Sequence, residues 1–185
     1  DEIEEVIRRI KRLLDENRKK NEEMSDRSRK LNERLRKIIK KIIDEITELL
    51  KRLEDRARTV TDGETLRREI KEIADRAKRL LDEIRKILED IRKELEELNR
   101  RSEEMNKESK EEADRLLEEL RKRSRDRKVD KKIEDLRKEI EDVLKELAER
   151  NKENKDRNKK SADELRKEIE DLERKVREVI RELTR

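Results

Sequence analysis

Residues 17–30 read NRKKNEEMSDRSRK, and how the chain passes through them decides the fold. Upstream, Ile3, Val6, Ile7, Ile10, Leu13 and Leu14 recur at spacings of three and four, the mark of one helix face. Downstream, Leu31, Leu35, Ile38, Ile39, Ile42 and Ile43 resume the same stripe. Between them only Met24 is apolar. No glycine or proline interrupts the stretch, so the pattern predicts one long amphipathic helix with a polar interruption in its buried face.

The composition supports long helices throughout. Of 185 residues, 61% are charged, 29% are apolar and none is aromatic. Only thirteen residue types occur; Cys, His, Pro, Trp, Tyr, Phe and Gln are absent. Such a bias toward Ala, Glu, Lys, Leu and Arg with helical periodicity indicates helical bundles or coiled coils. High polarity alone would equally suit a disordered chain, but regular apolar spacing argues against that.

Gly63, the single glycine, lies in TVTDGETL at 59–66 and marks a first break. There Asp62 is expected to cap a new helix and Gly63 to relieve backbone strain. A second break is expected at SRDRKVD, 124–130, with Asp126 or Asp130 as the cap before Ile133. The chain thus reads as a single domain, 1–185, with helices at about 2–60, 64–123 and 128–184. At ~1.5 Å per residue each helix would approach ~90 Å.

One ruler fits all three helices. The first has core slots at 3, 6, 10, 13 and 17, then 21, 24, 28, 31 and 35, then 39, 42, 46, 49 and 53. The same 3-4-3-4 steps run from 70 to 120 and from 133 to 183. Five layers per 18 residues is 3.6 residues per layer. A repeat averaging about 3.5 forces a left-handed supercoil, whereas 3.6 matches an unstrained helix. The expected fold is therefore all-α: a long, nearly straight, up-down-up three-helix bundle. Extra apolar residues such as Ile7, Leu14, Ile43, Leu81, Leu117 and Leu144 widen the stripe toward the two neighbours each helix would face.

The polar interruption recurs. In the second helix only Met105 is apolar between Leu98 and Ala113, and in the third nothing is between Ala148 and Ala162. The core slots there hold Asn17, Asn21 and Ser28, then Ser102, Asn106 and Ser109, then Asn151, Asn154, Asn158 and Ser161. All eight asparagines, both methionines and every serine but Ser124 lie in or beside these windows. An up-down-up path brings the windows to one height and predicts a polar section of the core. One register layers Asn21 with Asn106 and Asn151, and Met24 with Ser102 and Asn154. Three readings fit: a satisfied hydrogen-bond network, a hydrated cavity, or windows simply exposed. A buried network trades stability for uniqueness, because wrong registers leave amides unpaired. Replacing Asn21, Asn106 and Asn151 together by Leu should then raise stability and loosen register.

The 18-residue ruler, the thirteen-letter alphabet and the Glu/Lys/Arg surfaces resemble de novo designed helical bundles. The closest resemblance is to parametric, untwisted three-helix bundles carrying designed buried hydrogen-bond networks. It spans the whole chain and implies a stable, rigid scaffold with no natural biochemical activity. Spectrin-like natural rods are the structural alternative, but they usually carry aromatic core residues, Gln and irregular loops.

Other function classes find little support. With 58 Lys plus Arg against 54 Asp plus Glu, the net charge is +4 and the pI about 9.1. The signs are mixed everywhere, so no nucleic-acid partner is expected. Without His or Cys there is no general-base or nucleophile pattern, and an enzyme is not expected. Neither catalytic nor cofactor-binding residues are assigned. Paired glutamates, as at 4–5 and 103–104, read as solvated faces, and neutral Asn and Ser make no metal site. RKIIKKIIDEITELLKRL, 36–53, looks like a membrane-surface peptide, but its apolar residues fall on the core ruler. No targeting signal is read in DEIEEVIRRI, and a soluble chain is expected. No partner is required. A monomer is expected, with a homo-oligomer, or a helix-binding module whose Asn/Ser section specifies its partner, as the alternative.

Overall fold

The computed structural model describes residues 2–123 and 126–184. Three helices account for nearly all of them: α1, Glu2–Thr59; α2, Gly63–Arg123; and α3, Arg127–Leu183. Each runs unbroken through its polar window, as the absence of helix breakers there requires. Glu2, Glu4 and Glu5 lie in the first turn of α1, and Arg121, Lys122 and Arg123 in the last turn of α2. Both placements complement the helix dipole.

The starts of α2 and α3 are set by side-chain caps. Asp62 Oδ1 accepts the Glu64 N–H at 3.2 Å, and Asp62 Oδ2 accepts the Thr65 hydroxyl at 2.7 Å. Those two bonds hold the Asp62 carboxyl below its ordinary pKa, the Thr65 hydroxyl contributing most. Gly63 itself departs from expectation. It has no positive φ, and an added Cβ would meet nothing within 4 Å. The turn is made by the cap and needs no glycine. At the second break Ser124 and Arg125 lie outside the described residues. Beyond them Asp126 is the cap: its carbonyl accepts the Val129 and Asp130 N–H groups at 3.1 Å, and its carboxylate accepts that of Lys128 at 3.4 Å. Asp130 sits within the first turn instead.

The chain divides into two compact units, each taking one stretch from every helix. The first holds residues up to 29 with 95–157; the second holds 30–94 and 158–185. In the first, Val6, Ile10 and Leu14 pack with Leu117, Leu120, Ile133, Ile140 and Leu147. In the second, Ile39, Ile46 and Leu53 pack with Ala77, Ile84, Ile169 and Val176. Side chains as fully buried as Ile10 or Ile46 contribute roughly 1.5–3 kcal/mol each. Every slot of the ruler is buried or half-buried.

Pairing fixes the topology inside each unit. In the first, Asn21 meets Asn106 while Met24 meets Ser102, so α1 and α2 are antiparallel. There Arg18 reaches Glu146 and Ser25 reaches Asn154, so α1 and α3 are parallel. The second unit repeats the arrangement through Arg56–Glu69, Arg76–Glu45 and Asn32–Asn158.

Candidate functional site

The polar windows are not exposed. Asn17, Asn21, Ser28, Ser102, Asn151 and Ser161 are buried, and Asn106, Ser109, Asn154 and Asn158 are half-buried. The reading in which these residues simply face solvent is therefore excluded.

In the first unit Asn21 is the hub. Its Nδ2 donates toward the Asn17 carbonyl at 2.8 Å, Asn17 Oδ1 at 3.0 Å and Asn106 Oδ1 at 3.0 Å. A backbone carbonyl accepts and never donates, so it orients the Asn21 amide nitrogen-inward, and Asn106 must then present its oxygen. An amide has two hydrogens, so one of them is shared among the three acceptors. The expected α1–α2 layer of Asn21 with Asn106 is present, as is the pairing of Met24 with Ser102. Ser102 Oγ donates to Met24 Sδ at 3.0 Å.

The third helix joins differently from the expected register. Asn151 Nδ2 bonds neither Asn21 nor Asn106; it donates to the Asn99 carbonyl on α2 at 3.3 Å. Asn154 Nδ2 donates to Ser25 Oγ at 3.2 Å. Ser25 and Asn154 are 129 residues apart, one fewer than the separation of Asn21 from Asn151. Ser25 neighbours Met24, so Asn154 stays at the expected height but bonds a side chain beside the slot.

The second unit has a smaller polar cluster. Asn32 Nδ2 donates to Asn158 Oδ1 at 2.6 Å. The guanidinium of Arg36 reaches Ser161 Oγ at 3.3 Å and Glu164 at 3.5 Å. An exposed arginine thus supplies the partner of a buried serine.

Satisfaction by groups of the chain itself is incomplete. Asn17 Nδ2, Asn32 Oδ1 and Asn158 Nδ2 are buried and have no partner. Ser28 and Ser109 make no side-chain bond among the described residues. Four participants lie off the ruler: Ser25, Asn32 and Asn99, which belong to the Asn and Ser residues in or beside the windows, and Arg36, which does not. All lie one position beside a core slot. Widening the polar stripe by one residue, as Leu14 and Leu81 widen the apolar one, would have included them.

In the first unit, beside Asn17, α1 and α2 leave a groove. One stretch of about 290 Å³ is lined by Leu13, Asn17, Met105 and Ser109, with Glu16, Lys20, Glu108 and Glu112 around it. A neighbouring stretch of about 240 Å³ shares Leu13, Glu16 and Glu112 and adds Arg9, Arg12 and Leu116.

Among the described residues no group of three or more His, Cys, Asp or Glu is arranged to hold a metal ion, and no helix is long and apolar enough to cross a membrane. The surface carries Arg–carboxylate pairs, such as Arg56–Glu69, with bonds of 2.6 and 3.0 Å, and Arg85–Glu173. The bonds from Arg56 hold the Glu69 carboxyl below its ordinary pKa. Arg92 and Arg100 do the same for Glu89 and Glu97.

No family model matches the chain, and no curated protein does. Among solved structures it is similar to a computationally designed three helix bundle, with a TM-score of 0.78 and 22% identity over 99% of this chain and 90% of that one. The fold of this chain is a three-helix bundle.

Proposed function

We propose that the chain is a designed structural scaffold with no natural biochemical activity, built to hold buried Asn/Ser layers inside a three-helix bundle. The observation that carries this reading is the agreement between one arithmetic rule and burial. A single 18-residue ruler names core slots in all three helices, and none of them is exposed. Natural sequences drift from such a rule through insertions, irregular loops and functional residues. The similar structure being a designed bundle supports the same reading.

The scaffold requires no cofactor, nucleic acid, membrane or second chain. Among the described residues no large hydrophobic side chain is exposed, which leaves an outer partner little apolar surface to bury. The polar layers then act inward. They penalise wrong registers, because a slipped helix buries amides without partners.

Size-exclusion chromatography with light scattering tests this. The expected result is a monomer near 22.8 kDa whose mass does not change on dilution. A defined multimer would overturn the reading. It would favour a self-associating or helix-binding module in which the Asn and Ser residues select a partner chain.

A further inference from the structure

The chain has two sulfur atoms, those of Met24 and Met105, and no cysteine. Both methionines are half-buried in the first unit, yet their surroundings differ. Met24 Sδ already accepts the Ser102 hydroxyl at 3.0 Å, which engages one of its two lone pairs. Met105 instead lines the groove of about 290 Å³, together with Asn17 and Ser109. Asn17 is 3% exposed, and its Nδ2 is a buried donor with no acceptor. The Ser109 hydroxyl is also unpartnered among the described residues. A thioether is a weak acceptor and leaves such donors unmet.

We propose that Met105 is a peroxide-sensitive modification site whose sulfoxide the groove accommodates by hydrogen bonding to the Asn17 amide and the Ser109 hydroxyl. In the reaction a sulfur lone pair attacks one oxygen of hydrogen peroxide. The O–O bond breaks as the S–O bond forms, and the remaining oxygen leaves as water after proton transfer. Sulfur loses two electrons and the peroxide gains them. Sulfoxide formation ordinarily disrupts a core by making an apolar side chain polar. Here the new acceptor enters a groove of about 290 Å³ lined by Ser109 and by Asn17, whose buried amide nitrogen lacks an acceptor.

Two measurements test the proposal. The first uses the intact parent chain treated with hydrogen peroxide, digested with trypsin and read by mass spectrometry. The two sulfurs fall in separate peptides, NEEMSDR at 21–27 and SEEMNK at 102–107. The 102–107 peptide should gain its oxygen at least about fivefold faster. Equal rates, or faster oxidation of 21–27, would overturn it. The second compares the Tm of Met24→Leu before and after oxidation, with and without Asn17→Ala. Oxidation should leave the Tm of Met24→Leu unchanged or higher, and lower it once Asn17→Ala removes the donor. An equal fall in both backgrounds would sink the proposal.

Discussion

Asn32 donates to Asn158 at 2.6 Å, while the other polar atom of each amide, Asn32 Oδ1 and Asn158 Nδ2, is buried and unpartnered. One hydrogen bond thus accompanies two unmet groups in the second unit. A made bond returns about 1 kcal/mol net, and each unmet buried group costs roughly 1–3 kcal/mol. Replacing both residues by Leu should raise stability by about 1–3 kcal/mol. Asn158→Leu alone should gain less, because it leaves Asn32 with no partner. Guanidinium denaturation of the parent, single and double variants measures the difference. A double variant less stable than the parent would mean that the pair is satisfied in solution, for example by a bridging water.

The hub in the first unit gives an asymmetric pair of single substitutions. Asn106→Ala removes one of three acceptors, and the two on Asn17 remain within reach of the Asn21 amide. Its cost should be under about 1 kcal/mol. Asn21→Ala strips the donor from both Asn17 Oδ1 and Asn106 Oδ1 and should cost about 1–3 kcal/mol. Both changes replace a helical Asn by Ala, so the propensity gain cancels in the comparison. Equal costs would show that the Asn21 amide is not the hub.

Gly63→Ala should stabilise the chain by about 0.5–1 kcal/mol. The residue begins α2 without a positive φ, and its new Cβ would meet nothing. Alanine therefore narrows the unfolded ensemble without strain in the folded one. A lower Tm for this variant would place Gly63 in a conformation that needs its missing side chain.

Acid should destabilise the chain in a defined direction. Asp62 is held below its ordinary value of 3.8 by Thr65 and Glu64, and Glu69 below 4.5 by Arg56. A carboxylate with a depressed folded pKa contributes stability that is complete above its unfolded pKa and is lost as pH falls through the folded one. The Tm should hold steady down to about pH 4.5 and fall below it. Asp62→Asn keeps a capping oxygen but cannot titrate, so its Tm should fall less over that window. Both groups are exposed, and the effect should be small. An equal fall in parent and variant would remove Asp62 from the account.

The apolar part of the architecture was legible residue by residue. Ile10, Ile46, Ile84 and Leu147 were named as core from spacing alone, and each is buried. The polar part was legible only as a set. Asn21 bonds Asn106, but Asn151 finds the Asn99 carbonyl, and Ser25, Asn32 and Asn99 take part from positions beside the slots, with Arg36 outside the Asn/Ser set altogether. Asn17 occupies a core slot beside its hydrogen-bond partner Asn21, yet its own amide nitrogen is unmet.

The difference lies in how sharply each force depends on distance. Burial is non-directional, so a stripe at 3.6-residue spacing buries the same side chains even if a helix slides by a residue. Sequence by itself therefore determined the helices, the cap at Asp62 and which face turns inward, while the choice of Asp126 over Asp130 as the second cap came from the structure. A hydrogen bond fails within a few tenths of an ångström beyond about 3.5 Å, while one residue of slip moves a side chain by ~1.5 Å. Which amide meets which partner, Asn154 with Ser25 and Asn151 with the Asn99 carbonyl while Asn17 Nδ2 finds none, comes from packing three helices against one another, and only the tertiary structure decided it.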